Sequence, residues 1–241
     1  MEKNIEQQFG SIATDYISKT DEARILQYLT DIKMNNNRDW FYANKARYDE
    51  IRAKFEGIVE HLINAITRFD PSVSLVTVKS TLYRFHRDTR FSLDKSPYKR
   101  HLGSYINPRG KKAQQGGYYL HFEPGNCMIG GGAYCLESPV LRAVRKRIVN
   151  EIDEFRAIVE APAFKELFPI IGEEHLKTVP AGFSRDFAYP QYIRPKNYAV
   201  LHQIPDEFFF QEGWIEKVVG YFEIMKPYLD FINEAIDEAT E

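Results

Sequence analysis

The chain has two cysteines, no long apolar run and none of the common nucleotide-binding fingerprints, and each scarcity removes a class of protein. Cys127 and Cys135 are too few for a disulfide framework. On one extended strand their spacing corresponds to roughly 26 Å, beyond the reach of a bridge. No apolar stretch approaches the ~20 residues that span a bilayer. Met1 to Thr20 lacks the basic-then-apolar order of a secretory signal. These absences lead to the expectation of a cytoplasmic protein with no membrane partner. Neither G-x-G-x-x-G nor G-x-x-x-x-G-K-[ST] occurs, and there is no G-x-S-x-G elbow and no H-E-x-x-H pair. No cofactor is therefore expected. A Gly/Ser linker and an internal repeat are also missing, so residues 1–20 read as a tail or lead-in and 21–241 as one domain.

What the chain does have is concentrated positive charge. Between Arg84 and Lys112 stand nine Lys/Arg against Asp88 and Asp94, a local +7 on a chain of net charge −2. A basic stretch set on an acidic body can build an anion site or steer anions inward. The overall pI near 6.3 does not suit a dedicated duplex binder, so nucleic acid is not the expected partner.

The periodicity of the chain predicts α+β architecture, with long helices at both ends flanking a mostly antiparallel central sheet. Ile25, Leu26, Leu29 and Ile32 mark a first helix that Asn35–Asn37 ends. A second, from about Asp39 to Phe69, carries Phe41, Tyr48, Ile51, Phe55, Ile58, Leu62 and Ile66 on one face. Leu82 to His86 alternates, with Arg84 and His86 on one side and Tyr83 and Phe85 on the other. Gly117 to Phe122 alternates too, and Glu123-Pro-Gly-Asn126 has the order of a type II turn leading into Cys127–Leu136, a β-hairpin. In that hairpin Tyr118, Leu120 and Phe122 should be the more buried face, and Tyr119, His121 and Glu123 the other. Apolar spacing then predicts a helix from Ser138 to about Val159 and a strand at Tyr198–His202. A C-terminal helix runs from about Gln211, kinked or restarted at Pro227.

The candidate ligand-binding residues are Arg84, Arg87, Arg90, Lys95, Tyr98 and Lys99. Guanidinium forks and mobile ammonium groups suit carboxylate or phosphate, and the hydroxyls of Ser92 and Tyr98 add donors. Two readings stay open. The segment either lines a cleft for a small anionic ligand or pairs internally through Asp88 and Asp94 and with acids elsewhere. If the protein is an enzyme on a small phosphorylated or carboxylated substrate, Asp88, Asp94 or His121 would move protons. A binding module for single strands or an acidic partner is a further alternative, with Phe91, Tyr98 and Tyr119 as stacking rings. Gly130-Gly-Gly132 implies a bulge or close packing, with a phosphate nest as the other possibility. His86, His101, His121 and His202 fall on or beside strands, with Glu123 on the face of His121. They read as histidines on a polar sheet face, and no metal is assigned.

Three stretches carry a resemblance: Asn36-Asn-Arg-Asp-Trp-Phe41, Phe85-His-Arg-Asp-Thr-Arg-Phe-Ser-Leu-Asp-Lys-Ser-Pro-Tyr-Lys99, and Gly117-Tyr-Tyr-Leu-His-Phe-Glu-Pro-Gly-Asn126 with Gly130-Gly-Gly132. They resemble the signatures of an uncharacterised conserved hypothetical family, a domain of unknown function found in bacteria and fungi. The likeness runs from about residue 22 to near the end. It implies one intact domain and no assigned activity.

Overall fold

The structure, a computed structural model, describes residues 20–240. The lead-in expected over 1–20 lies outside them, apart from Thr20. Thr20 caps the first helix, α1 (Asp21–Met34), its hydroxyl accepting from Ala23 N at 3.2 Å while Asp21 and Glu22 sit in the positive first turn.

The long second helix expected from Asp39 to Phe69 is two helices, α2 (Arg38–Ala43) and α3 (Lys45–Ile66), broken at Asn44. Asn37 accepts from Trp40 N at 2.9 Å and starts α2. Asn44 stops it by turning its amide onto the Trp40 carbonyl, a local bond that competes with helix continuation. The apolar spacing runs unbroken across this joint because Phe41 and Tyr48 pack on each other, with ring centroids 5.2 Å apart. A one-turn helix, α4 (Val78–Thr81), follows.

The sheet is antiparallel throughout, and its spatial order is its sequence order: β1 (Leu102–Ile106), β2 (Gly117–Phe122), β3 (Cys127–Ala133) and β4 (Tyr198–Ile204). The expected hairpin is β2–β3, closed by Glu123–Asn126 with Gly125 at φ 74°, the left-handed position a type II turn requires. Three helices fill the connection from β3 to β4: α5 (Ser138–Asn150), α6 (Ile152–Val159) and α7 (Pro162–Leu167). The C-terminal helix, α8 (Trp214–Thr240), continues through Pro227 without restarting. Eight α-helices and a four-stranded sheet make the described residues α+β, as the periodicity predicts.

Leu82–His86 alternates in burial as expected, with Phe85 buried and Arg84 and His86 exposed, but it is not a strand. It touches the sheet through the single bridge Leu82↔Ser104, with Tyr83 N donating to Gly103 O at 3.2 Å. The far edge is met in the same way by Ile171↔Val200, with Gly172 N on Ala199 O at 2.8 Å.

The two sheet faces differ. Tyr118, Leu120 and Phe122 are buried on the helix side, where Phe55 of α3 meets Phe122 and Phe222 of α8 meets Tyr118. The glycine run serves close packing. A Cβ on Gly130 would lie 2.3 Å from Val200 O, and one on Gly131 would lie 2.3 Å from Met225 Sδ of α8. Gly132, at φ 93°, leaves only 2.0 Å to Tyr198 O. The opposite face carries Tyr105, Tyr119, His121, Met128 and Leu201 and is not covered by α3 or α8. No helix among the described residues is long and apolar enough to cross a membrane.

Candidate functional site

The basic segment folds back on itself as a projecting loop. Arg87 N donates to Pro97 O at 2.9 Å, Lys99 N donates to Phe85 O at 2.8 Å, and His86 bridges Tyr98. Its base is pinned by Asn36, whose amide brackets the Tyr98 backbone with two bonds of 3.0 Å. Tyr98 is 1% exposed and stacks on Phe41 at 4.1 Å. That ring is part of the core.

The loop's own acids take up much of its charge. Arg87 pairs with Asp94 at 2.6 Å and reaches Ser96 O and Ser92 Oγ; Arg90 grips Asp88 at 2.6 Å; Arg100 reaches Asp94 at 3.3 Å; Lys95 donates to Thr89 O at 3.0 Å. Bonds from Ser96 and then Arg87 hold the Asp94 carboxyl well below the usual carboxylate range. This is the internal pairing left open above, with Asp88 and Asp94 held by Arg90, Arg87 and Arg100. Phe91 and Leu93 stand at the exposed tip, 96% and 103% accessible.

A cavity of about 360 Å³ lies instead on the other face of the sheet. Tyr83, Tyr105, Tyr119 and Tyr134 wall it, with Lys111, His121, Met128 and Cys135. None of Arg84, Arg87, Arg90, Lys95, Tyr98 and Lys99 is among its lining residues. Lys99 stands just behind, its ammonium 5.1 Å from the centre of the Tyr83 ring. Lys111 donates to Leu82 O at 2.7 Å. Burial, then Arg52 and Arg84, pulls Lys111 below the ordinary lysine value. The Tyr105 hydroxyl sits 3.0 and 2.9 Å from the carbonyls of Gln115 and Gly132. Burial pushes the phenols of Tyr83, Tyr105 and Tyr119 upward, so all three stay neutral donors.

A polar chain runs from one wall. Tyr119 Oη is 2.7 Å from His121 Nδ1, and His121 Nε2 is 3.2 Å from Glu123 Oε2. A carboxylate only accepts, so Nε2 carries the proton and Tyr119 donates to Nδ1. Strand alternation places all three on one face, as the sequence predicts, and the type II turn then holds Glu123 through Asn126 Nδ2 at 2.9 Å. The expectation that this face is the less buried holds for Tyr119 and Glu123. His121 departs from it at 6% exposed, with the His101 ring packed against it.

His101 completes the group. Its ring lies 4.4 Å from that of His121, and one ligating atom from each of His101, His121 and Glu123 falls within 4.8 Å of the others. Burial, then His121 and Lys99, lowers His101 to about 4, and burial also lowers His121. Hydrogen bonds from Asn126 and His121 outweigh burial and keep Glu123 below the ordinary carboxyl range. The sequence puts four histidines near strands without saying which meet. His202 turns to the helix side, where Nδ1 sits 3.0 Å from Leu167 O, and His86 stays exposed on the basic loop. The register of β1 on β2 decides it, since Leu102↔Phe122 sets His101 opposite Glu123.

No curated protein and no solved structure matches the chain. A profile of the conserved hypothetical proteins designated DUF2461 matches residues 24–231, which takes in most of α1, the basic loop, the whole sheet and most of α8. The chain belongs to that family of conserved hypothetical proteins.

Proposed function

We propose that the protein binds a small organic molecule bearing a carboxylate or phosphate group in the cavity on the open face of the sheet. The observation that carries this reading is the make-up of the cavity: four tyrosine rings around about 360 Å³, with Lys111 among them. Small-molecule sites have volumes of this order, with apolar and aromatic walls and a few placed polar groups. Lys111 uses one N–H on Leu82 O, and an ammonium has three to give. Arg52 and Arg84 act electrostatically on Lys111 and add positive charge at that end of the cavity. The Tyr105 and Tyr119 hydroxyl protons are already given to the Gln115 and Gly132 carbonyls and to His121 Nδ1. The neutral phenol of Tyr83 is therefore the one left to donate to an anion without repelling it. The anionic ligand expected from the sequence is retained, and its place moves from the Arg87–Lys95 loop to the Lys111 end of the cavity.

Thermal unfolding against a panel of aromatic and aliphatic carboxylates and phosphate monoesters, in the presence of a chelator, tests it. A ligand at about 100 times its Kd adds about 2.7 kcal/mol, which raises Tm by roughly 5–11 °C for a chain of this length. Lys111→Met should weaken the stabilising compound about tenfold or more, the scale of a charge-assisted hydrogen bond. Arg90→Ala should leave it unchanged. The proposal fails if no anion-bearing compound stabilises the protein, or if Lys111→Met responds as the parent does.

A further inference from the structure

We infer that His101, His121 and Glu123 form a binding site for one divalent first-row transition ion of the zinc type, at the rim of the tyrosine-walled cavity. The ligand set comes first. Two imidazoles and one carboxylate, with one donor atom each lying within 4.8 Å of the others, match the three-protein-ligand arrangement of open zinc sites. Imidazole nitrogen favours zinc, iron, nickel or copper over magnesium and calcium, which prefer all-oxygen shells.

The second observation is the framework around those atoms. The three residues do not meet by the chance approach of flexible side chains. His121 lies on β2 and Glu123 directly follows it, while His101 directly precedes β1 and faces Glu123 in the register. Cross-strand neighbours on one face are brought together by the sheet itself. Outer partners are also in place. Tyr119 Oη holds His121 Nδ1 at 2.7 Å, and Asn126 Nδ2 holds Glu123 Oε2 at 2.9 Å. Ligating histidines and carboxylates are usually fixed by such second contacts.

The third observation is His101 itself. Its side chain makes no hydrogen bond with any described residue, although its ring is packed 4.4 Å from that of His121. A half-buried neutral imidazole beside a second imidazole and a carboxylate, with no protein partner for its ring nitrogens, leaves one nitrogen lone pair free to ligate. Lys99 opposes a cation here electrostatically, so the site should be weaker than a closed four-ligand structural site.

The protons balance without net release from His121. Without the ion, Nε2–H faces Glu123 and Nδ1 accepts from Tyr119. With it, Nε2 ligates, the proton resides on Nδ1, and that N–H donates to the Tyr119 oxygen, whose own proton turns away. Because His121 also lines the cavity, the ion's remaining positions would open toward it, where an oxygen of an anionic molecule could bind. The ion's binding does not depend on the ligand proposed above, and it is tested without one.

The experiment uses the full chain stripped with chelator and dialysed, then titrated with Zn2+ by calorimetry and with Co2+ by visible absorption. The expected result is one ion per chain, with a Kd below about 10 µM and a Co2+ spectrum of a low-coordinate nitrogen–oxygen site. His101→Ala should keep its metal-free Tm and lose about 100-fold or more in affinity. Glu123→Gln should also lose affinity, and Tyr119→Phe about tenfold, the scale of an outer-partner loss. Nitrogen-resolved NMR of the parent protein adds a readout that needs no variant: Zn2+ should shift the ring nitrogens of His101 and His121 and leave those of His86 and His202 in place. The inference is overturned if the parent binds no stoichiometric ion, if His101→Ala binds as tightly as the parent, or if the shifts fall on other histidines.

Discussion

Replacing Gly132 with alanine tests the packing that shapes the cavity floor. Gly132 has φ 93°, a conformation that costs an L-residue about 1–2 kcal/mol. An added Cβ would also lie 2.0 Å from Tyr198 O and 3.0 Å from the Ala199 Cα. Both are backbone atoms of β4, so no side chain can swing aside. Relief requires β3 and β4 to part, and overpacking of this kind costs about 1–3 kcal/mol. The expected loss is about 2–5 kcal/mol, or a Tm lower by roughly 4–20 °C. Two other glycines separate the causes. Gly110 has φ 84° with nothing within 4 Å of an added Cβ, so Gly110→Ala should show the conformational cost alone. Gly57 sits exposed in α3 with open space around it, and Gly57→Ala should stabilise by about 0.5–1 kcal/mol. Urea unfolding of the three variants, with unchanged m-values, gives the comparison. If Gly132→Ala loses no more than Gly110→Ala, β4 does not approach as described, and the reasoning about the glycine run is wrong.

Leu62, fully buried in α3, should cost about 2–5 kcal/mol when cut to alanine; a loss under about 0.5 kcal/mol in urea unfolding would contradict its place in the core. Anion affinity in the cavity should be full while Lys111 is charged and fall as pH rises through its pKa, which burial and the nearby arginines hold below the ordinary lysine value. Kd measured from about pH 7 to 10.5 should show that loss, and Lys111→Arg, which keeps its charge, should abolish it. Arg87→Ala removes a residue that ties Asp94, Ser92 and Ser96 together across the loop. Hydrogen exchange should quicken between residues 87 and 97 with little change in global Tm and none in cavity binding. Weaker cavity binding in that variant would return the anion site to the loop.

Much of the fold can be read from apolar spacing, because a helix or strand that buries one face must repeat at its own period. The faces of α1, α3 and α8 and the hairpin turn follow from that. The break at Asn44 does not, since Phe41 and Tyr48 keep the spacing while packing on each other across it. β1 escapes for the opposite reason. Leu102-Gly-Ser-Tyr-Ile106 has too few β-formers to stand out, and its pairing with β2 makes it a strand. The basic segment advertises its charge but not its destination. Asp88 and Asp94 lie two and seven residues from their arginines, and whether such pairs close depends on a loop geometry that composition does not encode. Two of the three residues of the candidate metal centre are legible, as His121 and Glu123 fall two apart on a strand face. His101 needs a strand register to bring it there. The tyrosines around Lys111 converge from separate segments, and no local pattern announces them.

Both margins of the sheet end in a single bridge and not in another strand. Leu82 meets β1, and Ile171 meets β4, each followed by one further backbone bond. An uncovered strand margin offers a row of free N–H and C=O groups to any extended chain that drifts past, which is how sheets of separate molecules fuse into aggregates. Here an arriving strand would find that row already interrupted near its middle, at Ser104 on one side and Val200 on the other. It could add only after displacing Leu82, which is buried, or Ile171, which is packed against the core. The segment that walls the cavity with Tyr83 thus also guards the sheet against edge-to-edge growth, and a change that loosens one role exposes the other.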